Sequence, residues 1–323
     1  MIVFTLVSVI WYVPIEKLIN GNYFTGSGDL KIHFIDVGHG DAIIVDLPDG
    51  KNVLIDSGPE CDNLDNYINH IFKDDIVFDY FILTHIDGDH IGNALDVLKK
   101  YKVNTLYRPS ILSSGETGEG LAVSKNEKYN KLIDFATANN INMCYNRSGE
   151  VILGDNYRFD FLSPEKIYYE KDNDYSPIIK LTYNDKKILF TGDAEDLAET
   201  EVSQKEISAD ILKLAHHGSG TSSSYEFLTK VNPKYVVVSC EAGVYNDVPS
   251  QTVLNRLEML GVKHENIFRT DVLNSIVINI DEDINILTND SADKNFIHYY
   301  YIIIVVSVLL YACVFESTLG QKR

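Results

Sequence analysis

Residues 84–92, THIDGDHIG, are the stretch on which the reading of this chain turns. Two histidines and two aspartates, His85, Asp87, Asp89 and His90, fall within six residues, directly after an apolar run that reads as a strand. A loop leaving a strand end can gather such side chains around one point. Imidazole suits zinc, and carboxylate suits manganese or magnesium as well. Carboxylates packed this closely without a basic partner repel each other, and a cation removes that repulsion. The competing reading is a polar turn that caps the following helix, with Asp89 as N-cap.

Working outward, three more segments place His or Asp at a strand end. In FTGDAED, residues 190–196, Asp193 follows an apolar strand and a glycine. A carboxylate there can bridge two ions ~3.5–4 Å apart, or cap the helix that follows. In LAHHGSG, residues 214–220, His216 and His217 precede small residues, as suits a ligand beside an open pocket. One coordinates while the other orients or donates to substrate, and the sequence leaves open which. In FIDVGHGDAIIV (34–45) and LIDSG (54–58), Gly38 and Gly40 permit a tight turn. Asp36, Asp41 and Asp56 there are placed to fix the tautomers of ligating histidines, or are ordinary turn aspartates. Five of the nine histidines, His39, His85, His90, His216 and His217, lie in these segments. His33, His70, His264 and His298 have no such context and are read as structural or surface residues.

Between these segments the periodicity predicts strands over 32–37, 42–47, 53–56, 80–84, 103–107, 151–153, 157–162, 178–183, 187–190, 210–214, 235–239, 275–280 and 284–287. Helices are expected over 62–72, 92–101, 124–140, 194–205, 223–231 and 251–260. Strands first, then strands alternating with helices, twice over, predict an α+β domain of two face-to-face sheets with helices outside, over residues 30–289.

Composition narrows the function. The chain has 323 residues and 45 % hydrophobic content, enough for a packed core. Its four cysteines form no C-x-x-C pair, so neither a zinc ribbon nor a disulfide framework is indicated, and they read as isolated thiols. A net charge of −19 and the lack of any Lys/Arg run disfavour an extended nucleic-acid-binding surface. Neither excludes a nucleic-acid substrate held through metal ions in a cleft.

The two ends differ from the middle. Residues 296–315 (FIHYYYIIIVVSVLLYACVF) carry no formal charge and are long enough to span the ~30 Å hydrocarbon core. Residues 290–323 are therefore expected to form a C-terminal transmembrane anchor, with Tyr299, Tyr300 and Tyr301 at one interface. The terminal Lys322-Arg323 pair points to a cytoplasmic C-terminus, which leaves the main domain membrane-tethered and extracytoplasmic. Residues 1–29 read as an apolar N-terminal segment and linker. The apolar part, 1–13, is short for a span and lacks the basic start of a signal peptide, so its membrane association is the weaker expectation.

The motifs DVGHGDA, THIDGDHIGN, LFTGDAE, LKLAHHGSGTSSS, PKYVVVS, VPSQTVLNRL and FRTDVLNSIVI, in this order, resemble the metallo-β-lactamase superfamily. More narrowly, they resemble the hydrolase domain of ComEC-like DNA-uptake proteins and its stand-alone relatives, over about 31–280. The resemblance implies a four-layer αβ/βα sandwich with a metal site at one edge and one or two divalent ions, Zn2+ or Mn2+. It implies His85 and Asp87 on the first ion, Asp89 and His90 on the second, Asp193 between them, and His216 or His217 completing the set. Asp89 would orient water or take its proton, and His216 or His217 would stabilise the developing oxyanion. The aspartate at 87, a harder ligand than the more usual histidine, tilts the preference toward manganese or magnesium.

Three departures stand out. No histidine precedes the Asp193 strand, where the chain reads KDNDYSPIIKL (171–181), so Asn173 or Asp174 is the candidate substitute. Val248 stands where a histidine is frequent before Pro249, and His39 replaces the usual glutamine. The function implied is hydrolysis of a phosphodiester, in a small molecule or a nucleic acid. The alternatives are hydrolysis of a carboxylic ester, lactone or β-lactam, and a membrane-tethered binding module with a degenerate site. The substrate and the oligomeric state stay open.

Overall fold

The computed structural model describes residues 29–72, 76–244 and 248–288. The strands, in chain order, are β1 (Leu30–Phe34), β2 (Ile43–Asp46), β3 (Asn52–Ile55), β4 (Val77–Ile82), β5 (Lys102–Arg108), β6 (Ile111–Leu112), β7 (Ala122–Val123), β8 (Asn142–Tyr145), β9 (Val151–Leu153), β10 (Tyr157–Phe161), β11 (Ile179–Tyr183), β12 (Lys186–Phe190), β13 (Ile211–Lys213), β14 (Tyr235–Val238), β15 (Ile267–Arg269), β16 (Ile276–Ile280) and β17 (Ile284–Leu287). One sheet has the order β17-β16-β1-β2-β3-β4-β5-β8 and the other β15-β14-β13-β12-β11-β10-β9. Each begins with antiparallel hairpin partners and continues with parallel strands, β3-β4-β5-β8 in the first and β12-β13-β14-β15 in the second. Parallel neighbours need crossover connections, which is where most of the helices come from. The chain closes the first sheet last: β16 pairs with β1 in the register Ile32↔Ile278.

Three separate apolar clusters make this a stack of four layers. The helices Asn63–Ile71, Ala94–Lys100 and Glu127–Ala138 send Leu64, Ile68, Val97, Leu132 and Ile133 onto Leu54, Phe78 and Phe81 of the first sheet. Between the sheets lie Ile32, Phe34, Val45, Phe159, Phe161, Leu181 and Phe190, with the Phe34 and Phe190 rings 6.3 Å apart. On the outer face of the second sheet, Leu189, Leu212 and Val236 meet Phe227, Leu228, Val253 and Leu257 of the helices Tyr225–Val231 and Gln251–Met259. Sheets covered on both faces need apolar residues on both faces, which explains the near-continuous hydrophobic runs in the central strands. The four-layer αβ/βα sandwich expected from the sequence is the one observed.

This topology brings the chemistry-bearing loops together. β3 and β4 are parallel neighbours, as are β12 and β13, so the loops after β4, β12 and β13 leave at strand C-terminal ends. These loops carry residues 84–90, Asp193 and His216-His217.

Some expected boundaries move. The helix expected over 194–205 spans only Asp196–Glu201, and its N-cap position is Glu195, not Asp193. β6, β7, β8 and β15 were not expected: they are two to four residues long, too short to show a period-2 pattern. No helix among the described residues is long and apolar enough to cross a membrane. The apolar segments 1–13 and 296–315, on which the membrane expectation rests, lie outside the described residues.

The inter-sheet core sets a stability test. Phe159 is 0 % exposed there, so Phe159→Ala is expected to lose ~3–5 kcal/mol in urea unfolding. Met259→Ala, at a residue 72 % exposed, should stay within ~0.5 kcal/mol. Equal losses at the two positions would contradict the layer assignment.

Candidate metal centre

Three histidines at the edge of the sandwich have their Nδ1 atoms fixed by the fold. Thr84 donates its backbone N–H to Asp56 Oδ1 at 2.8 Å and its hydroxyl to Asp56 Oδ2 at 2.7 Å. With its hydrogen committed, Thr84 Oγ1 accepts from His85 Nδ1 at 3.0 Å. His90 Nδ1 donates to the same Asp56 Oδ2 at 2.8 Å. His217 Nδ1 donates to the carbonyl of Ser239 at 2.8 Å. A proton held on Nδ1 leaves the lone pair on Nε2, the orientation a metal ligand requires.

Those three Nε2 atoms converge on Asp193. Its Oδ2 lies 3.3 Å from His90 Nε2, 3.5 Å from His217 Nε2 and 3.9 Å from His85 Nε2. His216 Nε2 approaches the same oxygen at 3.8 Å. Asp89 Oδ2 sits 3.3 Å from His217 Nε2 and 3.9 Å from His90 Nε2, and Asp87 Oδ2 lies 3.6 Å from His85 Nε2. His85 Nε2, His90 Nε2, His217 Nε2 and Asp193 Oδ1 are buried without a hydrogen bond. Buried polar atoms of a native fold are ordinarily satisfied, so a convergent set of unsatisfied donor atoms fits a divalent ion. Asp89, His90, Asp193 and His217 offer ligand atoms all within 4.8 Å of one another.

The helix-capping readings fall away here. Asp87, not Asp89, occupies the N-cap position of the short helix Gly88–Ile91, and it makes no side-chain cap bond. The His216–His217 pair also divides. His217 is fully buried against the ligand cluster, whereas the His216 side chain is 29 % exposed, with its Nδ1 3.3 Å from Glu195 Oε1 and 3.3 Å from Thr221 Oγ1. Both residues have positive φ, 49° and 54°, a strained conformation costing ~1–3 kcal/mol per residue that aims neighbouring rings in different directions.

The expected substitutes for the absent histidine do not join the cluster. Asn173 Nδ2 lies 3.5 Å from Glu195 Oε1 and from His216 Nδ1, the ring nitrogen turned away from Asp193. Asp174 is buried, which pushes its carboxyl up, and the charges acting on it are Glu195, Lys171, Glu201 and Lys166. That loop contributes Ser176 instead, which accepts from Asp193 N at 3.2 Å and contacts His85 Nδ1 at 3.3 Å. His39 sits at the rim of the cluster, with Nε2 3.4 Å from Asp89 Oδ2, and is not one of the four residues whose ligand atoms all lie within 4.8 Å of one another. Of the aspartates expected to fix tautomers, Asp56 does so for His90, while Asp36 accepts from Gly38 N in its own turn. Asp41 accepts from the fully buried Lys213 Nζ at 2.7 Å. That ammonium already neutralises Asp41, so the neighbouring group Asp41, Asp56 and His90 is not read as a second ion site.

A family model for the metallo-beta-lactamase superfamily matches residues 35–242. The chain belongs to this superfamily. It is 29 % identical over 268 residues to ComE operon protein 3 of Bacillus subtilis, covering 76 % of this chain and 32 % of that protein. It is 28 % identical over 259 residues to Recombination protein 2 of Haemophilus influenzae, covering 78 % of this chain and 29 % of that protein. The chain thus spans about a third of the length of these curated relatives. Among solved structures, CmlA, a diiron beta-hydroxylase from Streptomyces venezuelae, shares the fold at 12 % identity and a TM-score of 0.52, covering 79 % of this chain and 55 % of that chain. The ligand-type residues come from loops at one edge of the sandwich, and they open into a cavity of about 540 Å³. His39, Asp87, Asp89, Asp193 and His216 line it together with Ser219, Gly220, Thr221, Val248, Ser250 and Thr252.

The charges around the cluster set the protonation of its rings. Burial opposes charge on His217, but Asp193, Asp89 and Asp41 outweigh it and raise its pKa to about 9. His90 is likewise buried, and Asp193 and Asp56 raise it well above the usual imidazole range. Burial pushes the Asp193 carboxyl up, yet His90 and His217 hold it well below the carboxylate range. Protons on these two rings therefore stand where a cation would. An entering ion must expel them, so its apparent affinity should rise with pH until His217 titrates near 9. Titrating the metal-free full chain with Mn2+ or Zn2+ in weak buffer at about pH 7 should release protons. Ion binding with no proton release, and equal affinity at about pH 6 and about pH 8, would contradict this arrangement.

Proposed function

We propose that this chain is a metal-dependent phosphodiesterase that cleaves a nucleotide phosphodiester or the end of a nucleic-acid strand. The observation that carries the proposal is the convergence of three tautomer-fixed Nε2 atoms with Asp89 and Asp193 beside an open cavity. One or two divalent ions, Zn2+ or Mn2+, held by His85, Asp87, Asp89, His90, Asp193 and His217 would activate water and offset charge on the phosphoryl oxygens.

The chain's own groups divide the remaining work. Asp89, with 28 % of its side chain exposed, faces both the cluster and the cavity, so it can orient the attacking water or take its proton. His216 lines the cavity and is supported from behind by Glu195 and Thr221, which suits it to hydrogen-bonding substrate rather than serving only as a ligand. Buried His217 is the better ligand of the pair.

Substrate size follows from the cavity. Its volume lies within the ~300–1,000 Å³ range of small-ligand sites. Its lining is rich in hydroxyls and, among the described residues, contains no Lys or Arg. With a net charge of −19, this lining supports a short or terminal substrate over grip on a long polyanion. The names of the relatives, a competence operon protein and a recombination protein, favour a nucleic-acid-derived substrate. The apolar segment 296–315 would tether the domain to a membrane, on the extracytoplasmic side. The cation-free lining also favours a second reading, hydrolysis of an uncharged ester or lactone.

The test is the purified full chain with Mn2+ or Zn2+, assayed on a chromogenic phosphodiester, a short single-stranded DNA and a lactone panel. Phosphodiester turnover is expected, and Asp193→Ala should reduce it by more than ~100-fold, the upper end of what losing a supporting residue costs. Turnover confined to lactones would select the second reading. No turnover with any metal would overturn both.

A further inference from the structure

His39 stands apart from the ligand candidates in sequence, yet its loop is fastened onto theirs. Gly40 has φ +141°, and a Cβ there would lie 2.2 Å from the carbonyl oxygen of Asp89. Only glycine lets the two loops touch at this point. On the far side of that contact, Asp41 N donates to the same carbonyl at 3.3 Å, and Gly58 N donates to Asp41 O at 2.7 Å. His39's own N–H donates to Glu241 Oε2 at 3.2 Å, beyond the end of β14 in the opposite sheet. The backbone on both sides of His39 is thus held by the two halves of the sandwich.

The side chain is aimed accordingly. His39 Nε2 is 3.4 Å from Asp89 Oδ2, and its ring centroid is 4.3 Å from that of His217. It lines the same cavity as Asp89 and Asp193. We infer that His39 is a fifth donor to the ion held by Asp89, His90, Asp193 and His217. The two sides of the cluster are then unequal. Among the described residues, the carboxylates beside His85 Nε2 are Asp87 at 3.6 Å and the shared Asp193 at 3.9 Å, and neither Asn173 nor Asp174 enters. His39 does not make up for the histidine absent from that side; it reinforces the other one. The chain should hold one ion tightly and a second loosely, which gives a definite form to the metal dependence proposed above and rests on that reading.

Metal alone is the probe. The full chain, stripped with a chelator, is titrated with Mn2+ by calorimetry and with Co2+ by visible absorption. Wild type should show one tight and one weaker class of site. His39→Ala should weaken the tight class by at least ~10-fold and change the Co2+ absorption of the first equivalent, because a nitrogen donor is lost. Asp87→Asn should leave the first ion in place and weaken only the second. The metal-free melting midpoint of each variant serves as the folding control. If His39→Ala unfolds, His39→Gln is read in the same way and should weaken the tight class in the same direction. An unchanged first-ion affinity and Co2+ spectrum in a folded His39 variant would overturn the inference. So would Asp87→Asn weakening the first ion as much as His39→Ala does. A wild-type chain that binds no ion would remove the metal-centre reading itself, a result distinct from either.

Discussion

Asp193 is a carboxylate taken almost wholly out of water, at 2 % exposure, and its charge has to be answered from within. A buried charge left without a partner costs several kcal/mol. Four imidazole Nε2 atoms lie within 4 Å of its Oδ2, and none of the three buried ones makes a hydrogen bond. Protons on His90 and His217 answer it in one state, and a divalent cation would answer it in the other. Much of the edge architecture serves this arrangement: the Asp56 carboxylate holding both Thr84 and His90, the Ser239 carbonyl on His217, and the glycine contact that brings His39 against Asp89. The Lys213–Asp41 pair works in the same direction. It cancels a nearby negative charge, so that the cation-seeking charge is concentrated at Asp193 and Asp89.

Much of this was legible in the sequence, because the signal was chemical and local. THIDGDHIG at the end of an apolar strand, a lone Asp after FTG and the HH pair each carry ligand-type residues where a strand stops. The alternation of strands and helices gave the layer order, since sheets covered on both faces must be apolar on both faces. Illegible was whatever depends on contacts far apart in the chain. Ser239 supports His217 through its carbonyl, which carries no side-chain signature. Ser176, at the loop where a histidine was sought, is an ordinary serine until Asp193 and His85 close over it. Lys213 did leave a trace, a cation inside the apolar run 211–214, which implies a buried carboxylate partner. The partner, 172 residues away, emerges only from the fold.

The division between His216 and His217 shows why adjacency misleads. Alternate side chains in a strand face opposite ways, but this pair sits in a left-handed turn beyond β13, where the backbone aims each ring separately. One ring is buried toward the cluster and the other faces the cavity with Glu195 behind it. The acidic composition, which argues against broad nucleic-acid binding, fits a site whose positive charge would be delivered by ions rather than by side chains.

The central claim is that Asp193 and the imidazoles around it exist to hold a divalent ion, and anomalous scattering from crystals of the full chain grown with Mn2+ tests it most directly. The account predicts an anomalous peak within direct coordination reach of the Asp193 carboxylate and of the Nε2 atoms of His90 and His217. A second, weaker peak is predicted beside His85 and Asp87. An anomalous map that is flat at this cluster, with Asp193 still closed against His90 and His217 in saturating Mn2+, would contradict it.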